Sequence, residues 1–368
     1  MRRFICCLGG GSSSKVMQDP EQLPQPPQQP QLTDSSDDED LNHGVTFRWS
    51  EIVDGTENFL STRLLDGGNY GKVYRCDIPR INKVGAAKIH NHENQFGYGG
   101  FLAEITTLKE ANHPNVIKLL GKRLGQHKSA IVYEFMRNGS LDHHFFAHAR
   151  RGPGLQQERR VLDWDTRMRI ALGVAEALVY LHTGLEKIHR DVNVTNVLLD
   201  DDFTPKLAGF GSSNQVFVNG DGVERQRKIN PIKGARGYVA PETEELGLVS
   251  TKSDVYSYGV FLFVLFTGRE AYDLRRPAGR VKLTDWLIPV WSRVEFTSLL
   301  TDVTLGDKFS VEGLNRLFFT AKMCIDPQAF SRPEMVIVED MVRQASAFPV
   351  TQRSKEPSSP KAERSKEI

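Results

Sequence analysis

The pattern of apolar residues changes once along this chain, near Asn138, and this change limits the folds that the chain can adopt. Before Asn138, the stretches KVYRCDI, VGAAKIH, VIKLLGKRL and SAIVYEF are typical of strands. Helices are predicted ahead of them in WSEIVDGTENF and between them at about residues 101–111. After Asn138, apolar residues recur at helical spacing in TRMRIALGVAEALVYLHTGL, SDVYSYGVFLFVLFTG and GLNRLFFTAKMCI. The sequence therefore predicts a small lobe built on a sheet, followed by a larger helical lobe.

Polar segments of low complexity flank these two lobes. Residues 1–43 combine the head MRRFICC, the stretch LPQPPQQPQL and an acidic run from Asp34 to Asp40. Such a composition buries too little apolar surface to offset the entropy of ordering, so we expect a disordered tether. The expected domains are then residues 44–136 for the small lobe, 137–346 for the helical lobe and 347–368 for a flexible tail.

Composition excludes several classes of function. The 47 Lys and Arg residues nearly balance the 46 Asp and Glu residues, so net charge does not support a nucleic-acid partner. The four cysteines (Cys6, Cys7, Cys76 and Cys324) are too few for a disulfide framework or a zinc pattern. No apolar run approaches the roughly 20 residues that span a bilayer, and the N-terminal apolar stretch is too short for a secretory signal. We therefore expect an intracellular protein without a transmembrane helix.

Glycines in LLDGGNYGKVY lie directly before a predicted strand. Gly68 and Gly71 allow a tight hairpin whose N–H groups approach phosphates, but two glycines beside Asn69 are more often an ordinary turn. Lys88 in the next strand and Glu104 in the following helix suit an ion pair that holds a nucleotide's phosphates. Either charge taken alone is more often a solvated surface residue. These features indicate a phosphate site only in combination with a segment further along the chain.

The segment KIHRDVNVTNVLLD has the spacing of a phosphoryl-transfer loop, in which H-R-D is followed by four residues and Asn. In such a loop Asp191 accepts the proton of the attacking hydroxyl, and Asn196 supplies an oxygen ligand to magnesium. With the glycines, Lys88 and Glu104 in the same chain order, the match is too specific to arise by chance.

In this order the motifs resemble those of eukaryotic protein kinases over about residues 47–345. VYEFMRNGSL, VLDWDTRMRIA, SSNQ and the MRRFICC head are similar to plant receptor-like cytoplasmic kinases, especially the Pto-interacting kinase group. The resemblance implies an α+β, bilobal protein-kinase fold, with an antiparallel sheet and one helix in a small N-lobe and a mainly helical C-lobe. It also implies Ser/Thr-directed phosphate transfer from ATP in plant defence or stress signalling.

The resemblance assigns roles to individual residues. Glu242 in YVAPE and Arg332 in SRPEM are expected to form a buried ion pair, and Asp254 in KSDVYSYG is expected to be structural. The expected catalytic residues are Asp191, Asn196, Lys88 and Glu104. The expected nucleotide-binding residues are Gly68, Tyr70, Gly71, Val73, Ala86, Lys88, Glu134, Met136 and Leu198.

The chain departs from the family pattern at the magnesium motif. KLAGFG carries Gly209 where the family has an aspartate that binds magnesium, and glycine has no side chain that can bind a metal. Asn196 is then the one expected side-chain ligand, and magnesium binding is expected to be weak or absent. Because the metal contributes several kcal/mol to the transition state and each ~1.4 kcal/mol is tenfold in rate, transfer should slow by orders of magnitude.

Other departures point the same way. Asn193 replaces a lysine of the phosphate path. Ala235 replaces a threonine near Asp191, and Asp66 replaces the first glycine of the phosphate loop. Within residues 211–234 the only hydroxyl side chains are Ser212 and Ser213. Both lie directly after the magnesium motif rather than where activating phosphates usually lie.

Two hypotheses follow. In the first, the chain is a pseudokinase or strongly impaired Ser/Thr kinase that still binds ATP, because Lys88, Glu104, Asp191, Asn196 and Phe210 are intact. It would then act on protein partners such as a receptor, an immune sensor or another kinase. In the second, the chain is an active ATP-dependent Ser/Thr protein kinase that obtains its metal ligands elsewhere. Neither hypothesis involves nucleic acid.

The N-terminal head predicts attachment to a membrane. Cys6 and Cys7, preceded by Phe4, Ile5 and two arginines, are expected to be S-acylated, which would hold the chain at the cytoplasmic face of the plasma membrane. Residue 2 is Arg, so N-myristoylation is excluded. The alternative is an unmodified tail with two free thiols, on a chain in the cytoplasm.

Overall fold

A six-stranded sheet forms the first part of the fold. The computed structural model describes residues 45–68, 71–91, 95–125, 127–146, 153, 160–291 and 300–350. The strands are β1 (Val45–Thr46), β2 (Leu64–Gly68), β3 (Gly71–Ile78), β4 (Lys83–Asn91), β5 (Leu119–Arg123) and β6 (Lys128–Glu134). The predicted tether with Cys6 and Cys7, residue Tyr70, and residues 351–368 of the predicted tail lie outside the described residues.

The strand order in this sheet is β1-β5-β6-β4-β3-β2. Strands β2 to β6 pair antiparallel with their neighbours, whereas β1 runs parallel to β5, with Val45 opposite Gly121. Strand β1 has only two residues, too few to show the alternation that predicts strands from sequence. The pairing of β3 with β4 places Lys88 opposite Val73, at the edge of the later site.

Two helices cover the sheet. Helix α1 (Trp49–Gly55) contributes Ile52 to an apolar cluster that includes Phe47, Ile78 and Val132. Helix α2 (Gln95–Glu110) begins six residues before the predicted start at residue 101. Its first half is rich in glycine, which disfavours helices, but a Cβ at Gly100 would lie only 3.1 Å from the Gly211 carbonyl oxygen. Close packing against the segment after the magnesium motif therefore outweighs the low helix propensity.

The helical lobe contains α3 (Asp142–Phe145), α4 (Trp164–Val179), α5 (Pro241–Leu246), α6 (Thr251–Thr267), α7 (Leu283–Trp291), α8 (Val311–Cys324) and α9 (Met335–Ser346). Every residue of α6 except Lys252 is buried, because α4 and α8 pack on it. A helix that is apolar on all sides is expected at the centre of a domain. None of the helices that the structure describes is long and apolar enough to cross a membrane.

Short strands fix the loops at the boundary of the two lobes. They pair as β7 (Lys187–Ile188) with β10 (Asn214–Gln215), β8 (Val197–Leu199) with β9 (Pro205–Leu207), and β11 (Arg227–Lys228) with β12 (Leu248–Val249). The loop with Asp191 lies between β7 and β8. The β8–β9 hairpin brings Asn196, directly before β8, next to Gly209, two residues after β9.

Candidate active site

A cavity of about 380 Å³ lies between the sheet and the helical lobe. Seven of the predicted nucleotide-binding residues line it: Gly71, Val73, Ala86, Lys88, Glu134, Met136 and Leu198. Gly68 is the last residue of β2, and Tyr70 lies outside the described residues. Glu104, Asp191, Asn196 and Gly209 line the same cavity. The structure thus gathers residues from both lobes around one apolar space with a charged end.

Lys88 and Glu104 form an ion pair at that charged end. The Lys88 Nζ atom lies 2.8 Å from Glu104 Oε2, and the Glu104 side chain is only 2% exposed. Burial acts to raise the pKa of Glu104, but the Lys88 ammonium outweighs it, so the pKa lies below its usual value. Glu104 therefore stays ionised and holds the ammonium in position at the cavity wall.

Asp191 is held by a set of neutral donors. Its Oδ1 atom accepts hydrogen bonds from the Asn193 amide at 2.9 Å and the Ala235 backbone N–H at 3.1 Å. Its Oδ2 atom accepts from the Asn196 amide at 2.9 Å. Burial raises the pKa of the Asp191 carboxyl, and these donors oppose that effect. Asn193 and Ala235 thus contact the carboxylate directly, and both are departures from the family pattern.

Asp254 of α6 is hydrogen-bonded to the backbone of the loop that carries Asp191. Its carboxylate accepts backbone N–H bonds from His189 and Arg190, each 2.7 Å long, and it lies 2.9 Å from His182 Nε2. His189 donates from Nε2 to the Ala208 carbonyl at 2.9 Å, and its ring meets the Phe210 ring edge-on at 4.8 Å between centroids. A buried carboxylate on the central helix therefore fixes the loop that carries Asp191.

Glu242 and Arg332 form a bidentate ion pair in the helical lobe. The two Arg332 Nη atoms each lie 2.8 Å from a Glu242 carboxylate oxygen, and Arg332 is 1% exposed. Arg332 also donates to the carbonyl oxygens of Asp326 and Lys252. Such planar, fully hydrogen-bonded geometry is the kind in which burial of a guanidinium is tolerated.

Sequence reasoning missed several residues of the cavity wall, among them Tyr133. This residue ends the apolar run of β6 and is 8% exposed. Burial and the nearby Glu104 charge raise the pKa of its phenol well above the usual value. The available signal was alternation along SAIVYEF, in which Ile131 and Tyr133 fall on one face.

Comparison with known proteins decides the family. A family model described as "Protein tyrosine and serine/threonine kinase" matches residues 60–284. The chain belongs to the protein-kinase family. This kinase is 35% identical over 295 residues to "Probable serine/threonine-protein kinase PBL23" of Arabidopsis thaliana, covering 80% of this chain and 73% of the relative. It is also 35% identical over 299 residues to "Probable serine/threonine-protein kinase PBL7" of Arabidopsis thaliana, covering 81% of this chain and 75% of that relative.

Some relatives are longer proteins. "Receptor-like serine/threonine-protein kinase ALE2" of Arabidopsis thaliana is 34% identical over 292 residues, which cover 79% of this kinase but 37% of the relative. The kinase therefore spans little more than a third of that protein. These comparisons identify a plant receptor-like cytoplasmic kinase, and membership of the family implies use of ATP. The finer resemblance to the Pto-interacting group stays a prediction.

The magnesium motif of this kinase has an unusual geometry. Gly209 lies in the left-handed region at φ 82° and ψ 40°. A Cβ at this position would lie 2.5 Å from Cγ and Oδ1 of Asn196, and 2.6 Å from Nδ2. The Asn196 side chain therefore lies against the place from which an aspartate at residue 209 would extend.

The magnesium site of the family lacks one carboxylate here, because Gly209 has no side chain that can bind a metal. Asn196 Nδ2 donates to the Asp191 carbonyl at 2.8 Å and to Asp191 Oδ2 at 2.9 Å. These bonds orient the amide through its nitrogen, and Oδ1 is the atom that would bind a metal. Glu104 is bound by Lys88. Asp66 accepts the Gly67 N–H at 2.7 Å. Within the part of the chain that the structure describes, no group of three or more His, Cys, Asp or Glu residues is arranged to hold a metal ion.

Proposed function

We propose that this kinase is a signalling pseudokinase, or a strongly impaired Ser/Thr kinase, that binds ATP with little help from magnesium and acts through contacts with other proteins. The observation that carries this proposal is the arrangement at residue 209. A glycine replaces the magnesium carboxylate, and Asn196 lies within 2.6 Å of the place of a Cβ. Magnesium normally bridges the transferred phosphates and neutralises the charge that develops on them, so a poor donor set mainly lowers the rate of transfer.

ATP binding has separate support. The cavity keeps its apolar wall, and the Lys88–Glu104 pair that contacts phosphates in the family is formed at 2.8 Å. Apolar contacts with a base and an ammonium near the phosphates do not require a metal. Binding of the nucleotide can therefore persist when transfer is lost.

A transfer assay tests this proposal. Wild-type protein and an Asp191→Asn variant are incubated with labelled ATP, magnesium or manganese, and a general Ser/Thr substrate. We expect the two proteins to differ by less than about tenfold, because wild type already lacks the metal contribution. An Asp201→Asn variant is the matched control, since this exposed carboxylate lies outside the cavity. Transfer by wild type at the ~1–100 per second of working kinases, lost in Asp191→Asn, would overturn the proposal.

The second candidate function is that of an active Ser/Thr kinase. The observation that favours it is that Lys88, Glu104, Asp191 and Asn196 all line one cavity. A Gly209→Asp variant in the same assay separates the two. If the lost carboxylate limits transfer and the Asn196 side chain turns aside to admit the new side chain, Gly209→Asp exceeds wild type. If another oxygen supplies the metal ligand, wild type is already fast and Gly209→Asp gains nothing.

We also propose that the kinase works at the cytoplasmic face of the plasma membrane in defence signalling, beneath a receptor, an immune sensor or another kinase. Cys6 and Cys7 beside Phe4 and Ile5 support this, since two acyl chains give stable attachment. In plant cells, Cys6→Ala with Cys7→Ala should move the full chain from the membrane fraction to the soluble fraction. Ser12→Ala with Ser13→Ala is the control. Unchanged membrane recovery of the cysteine variant would dispose of this part of the proposal.

A further inference from the structure

A cluster of cations lies on the segment that follows the magnesium motif. Between β10 and α5 the chain carries two acids, Asp221 and Glu224, and five bases: Arg225, Arg227, Lys228, Lys233 and Arg236. All the bases except Lys233 are exposed. The chain as a whole has a formal net charge of only +1, so this concentration of charge is local. We call these five residues the cationic segment face.

The four exposed bases of this face are not held by nearby acids, whereas Lys233 lies near the Asp191 charge. None of the five bases forms an ion pair with another residue that the structure describes. Arg227 instead lies over the Phe217 ring at 4.1 Å, and Arg236 lies 5.8 Å from the Tyr272 ring centroid. Glu224 binds Thr251, accepting its backbone N–H at 2.7 Å and its hydroxyl at 2.6 Å. The nearest acid in sequence is therefore engaged elsewhere.

The segment is also held in place. Glu224 attaches it to the first residue of α6, β11 pairs with β12, and Ile229 donates its N–H to the Gly247 carbonyl at 2.9 Å. Lys233 lines a small cavity with Arg190 and Asp191, and burial together with the Arg190 charge lowers the pKa of Lys233. The cations are thus presented on a fixed backbone, so binding an anion would require little additional ordering.

Phosphorylation of the segment itself cannot supply the missing negative charge. Within residues 211–240 the hydroxyl residues are Ser212, Ser213 and Tyr238, and they are 6%, 7% and 7% exposed. Ser213 Oγ also lies 2.8 Å from Thr107 Oγ1 of α2. A kinase acting on this segment would find no accessible acceptor, so a compensating anion has to come from outside the segment.

Exposed apolar side chains accompany the cations. Val218, Val223, Ile232 and Leu246 are 47–57% exposed, although aliphatic side chains of this size are usually buried. A surface that mixes bases with aliphatic side chains suits a polypeptide that carries both acids and an apolar residue. Because Lys233 and Ala235 lie beside Asp191, such a polypeptide would run next to the cleft.

We propose that the cationic segment face is the docking surface for an acidic protein segment, one that carries phosphoserine or clustered Asp and Glu together with an aliphatic residue. This inference rests on the proposed function, because it gives the interaction module a defined surface and a partner chemistry. An anionic membrane is the competing occupant. It is disfavoured because the face lies next to the Asp191 cleft.

A binding experiment tests this inference on the full chain without nucleotide. The probes are a synthetic peptide with two phosphoserines among Asp, Glu and Leu residues, its form with lysines replacing the acids, and phosphatidylcholine vesicles with and without phosphatidylserine. The variant is Arg225→Gln with Lys228→Gln, whose side chains make no hydrogen bond or ion pair with a described residue. The matched control removes two exposed positive charges elsewhere, Lys308→Gln with Lys322→Gln.

We expect the acidic peptide to bind wild type and the control equally, with affinity that falls as salt rises. The double variant should bind about fivefold to tenfold more weakly, mainly through slower association, because both charges are exposed. Equal affinities for the two double variants, or binding of the vesicles but not of the peptide, would overturn the inference. The assay contains no ATP, so an active wild-type enzyme in the transfer assay would refute the proposed function and leave this result standing on its own.

Discussion

Gly209 is the residue on which the proposed loss of catalysis depends, and its environment gives a direct prediction. Gly209→Ala should lower the free energy of unfolding by about 2–4 kcal/mol, since the new Cβ meets a left-handed backbone and the Asn196 side chain together. Gly279→Ala separates the two effects. Gly279 has φ 76° with no atom within 4 Å of its Cβ position, so that variant should cost about 1 kcal/mol. Equal costs in urea denaturation would mean that Asn196 moves away freely.

His189 gives a prediction for pH dependence. Burial lowers the pKa of this imidazole below its usual 6.5, and its two nitrogens are occupied as donor to Ala208 and acceptor from the Asp191 N–H. Below about pH 6.5 the His189 imidazole therefore binds a proton in the unfolded chain but stays neutral in the folded chain. Above that pH, the contribution of His189 to the free energy of unfolding is at its maximum. It falls with decreasing pH, by up to ~1.4 kcal/mol per pH unit, until the folded pKa is reached.

The measurement is the free energy of unfolding between pH 7.5 and pH 5.5. His189→Gln should be less stable than wild type at the upper pH, and the difference should shrink as the pH falls. His127→Gln is the control, because it replaces an exposed histidine by the same residue. A His189→Gln slope identical to that of wild type would show that another group causes the acid sensitivity.

Among the elements, helix α6 anchors the segment after the magnesium motif as well as the loop with Asp191. Glu224→Ala removes both hydrogen bonds to Thr251 and should loosen residues 214–230, at a local cost of about 0.5–2 kcal/mol. The check is the rate of trypsin cleavage at Arg225 and Arg227, which should rise severalfold. Glu245→Ala replaces an exposed glutamate of α5 and should leave the rate unchanged. No rise in Glu224→Ala would mean that β11 and β12 hold the segment by themselves.

Helices and strands could be predicted where apolar residues recur at regular spacing over a long stretch. The three long apolar stretches are the helices α4, α6 and α8, and four of the predicted strand stretches overlap β3 to β6. The start of α2 could not be predicted, because its glycines oppose helix formation. The contact with Gly211 explains a glycine at residue 100, whereas nothing in the structure explains the glycine at residue 99. Strand β1 is too short to carry a pattern.

The site could be predicted as a set of residues but not as a geometry. The sequence motifs predicted that Lys88, Glu104 and Asp191 belong to one site, and all three line one cavity. No spacing rule predicts that the Asn193 amide contacts Asp191, because this contact depends on side-chain rotations within one loop. The contact of Asn196 with Gly209 depends on how the β8–β9 hairpin brings its two ends together. Tyr133 was missed because the strand pattern predicts only that its side chain is buried. Whether that face lines a cavity depends on how the helical lobe packs against the sheet.

For the molecule as a whole, the proposed function predicts how nucleotide stabilises both lobes together. ATP in the cavity contacts the sheet and the helical lobe at once, so it should stabilise the folded kinase. At ten times Kd the gain is about 1.4 kcal/mol. We expect nearly the same rise in Tm with magnesium and with EDTA, because the cavity offers Lys88 but a poor set of metal ligands. An Ala86→Phe variant, which fills the base end of the cavity, should lose the shift under both conditions. A rise in Tm that depends strongly on magnesium, and that disappears in Asn196→Ala, would show that the site holds the metal despite Gly209.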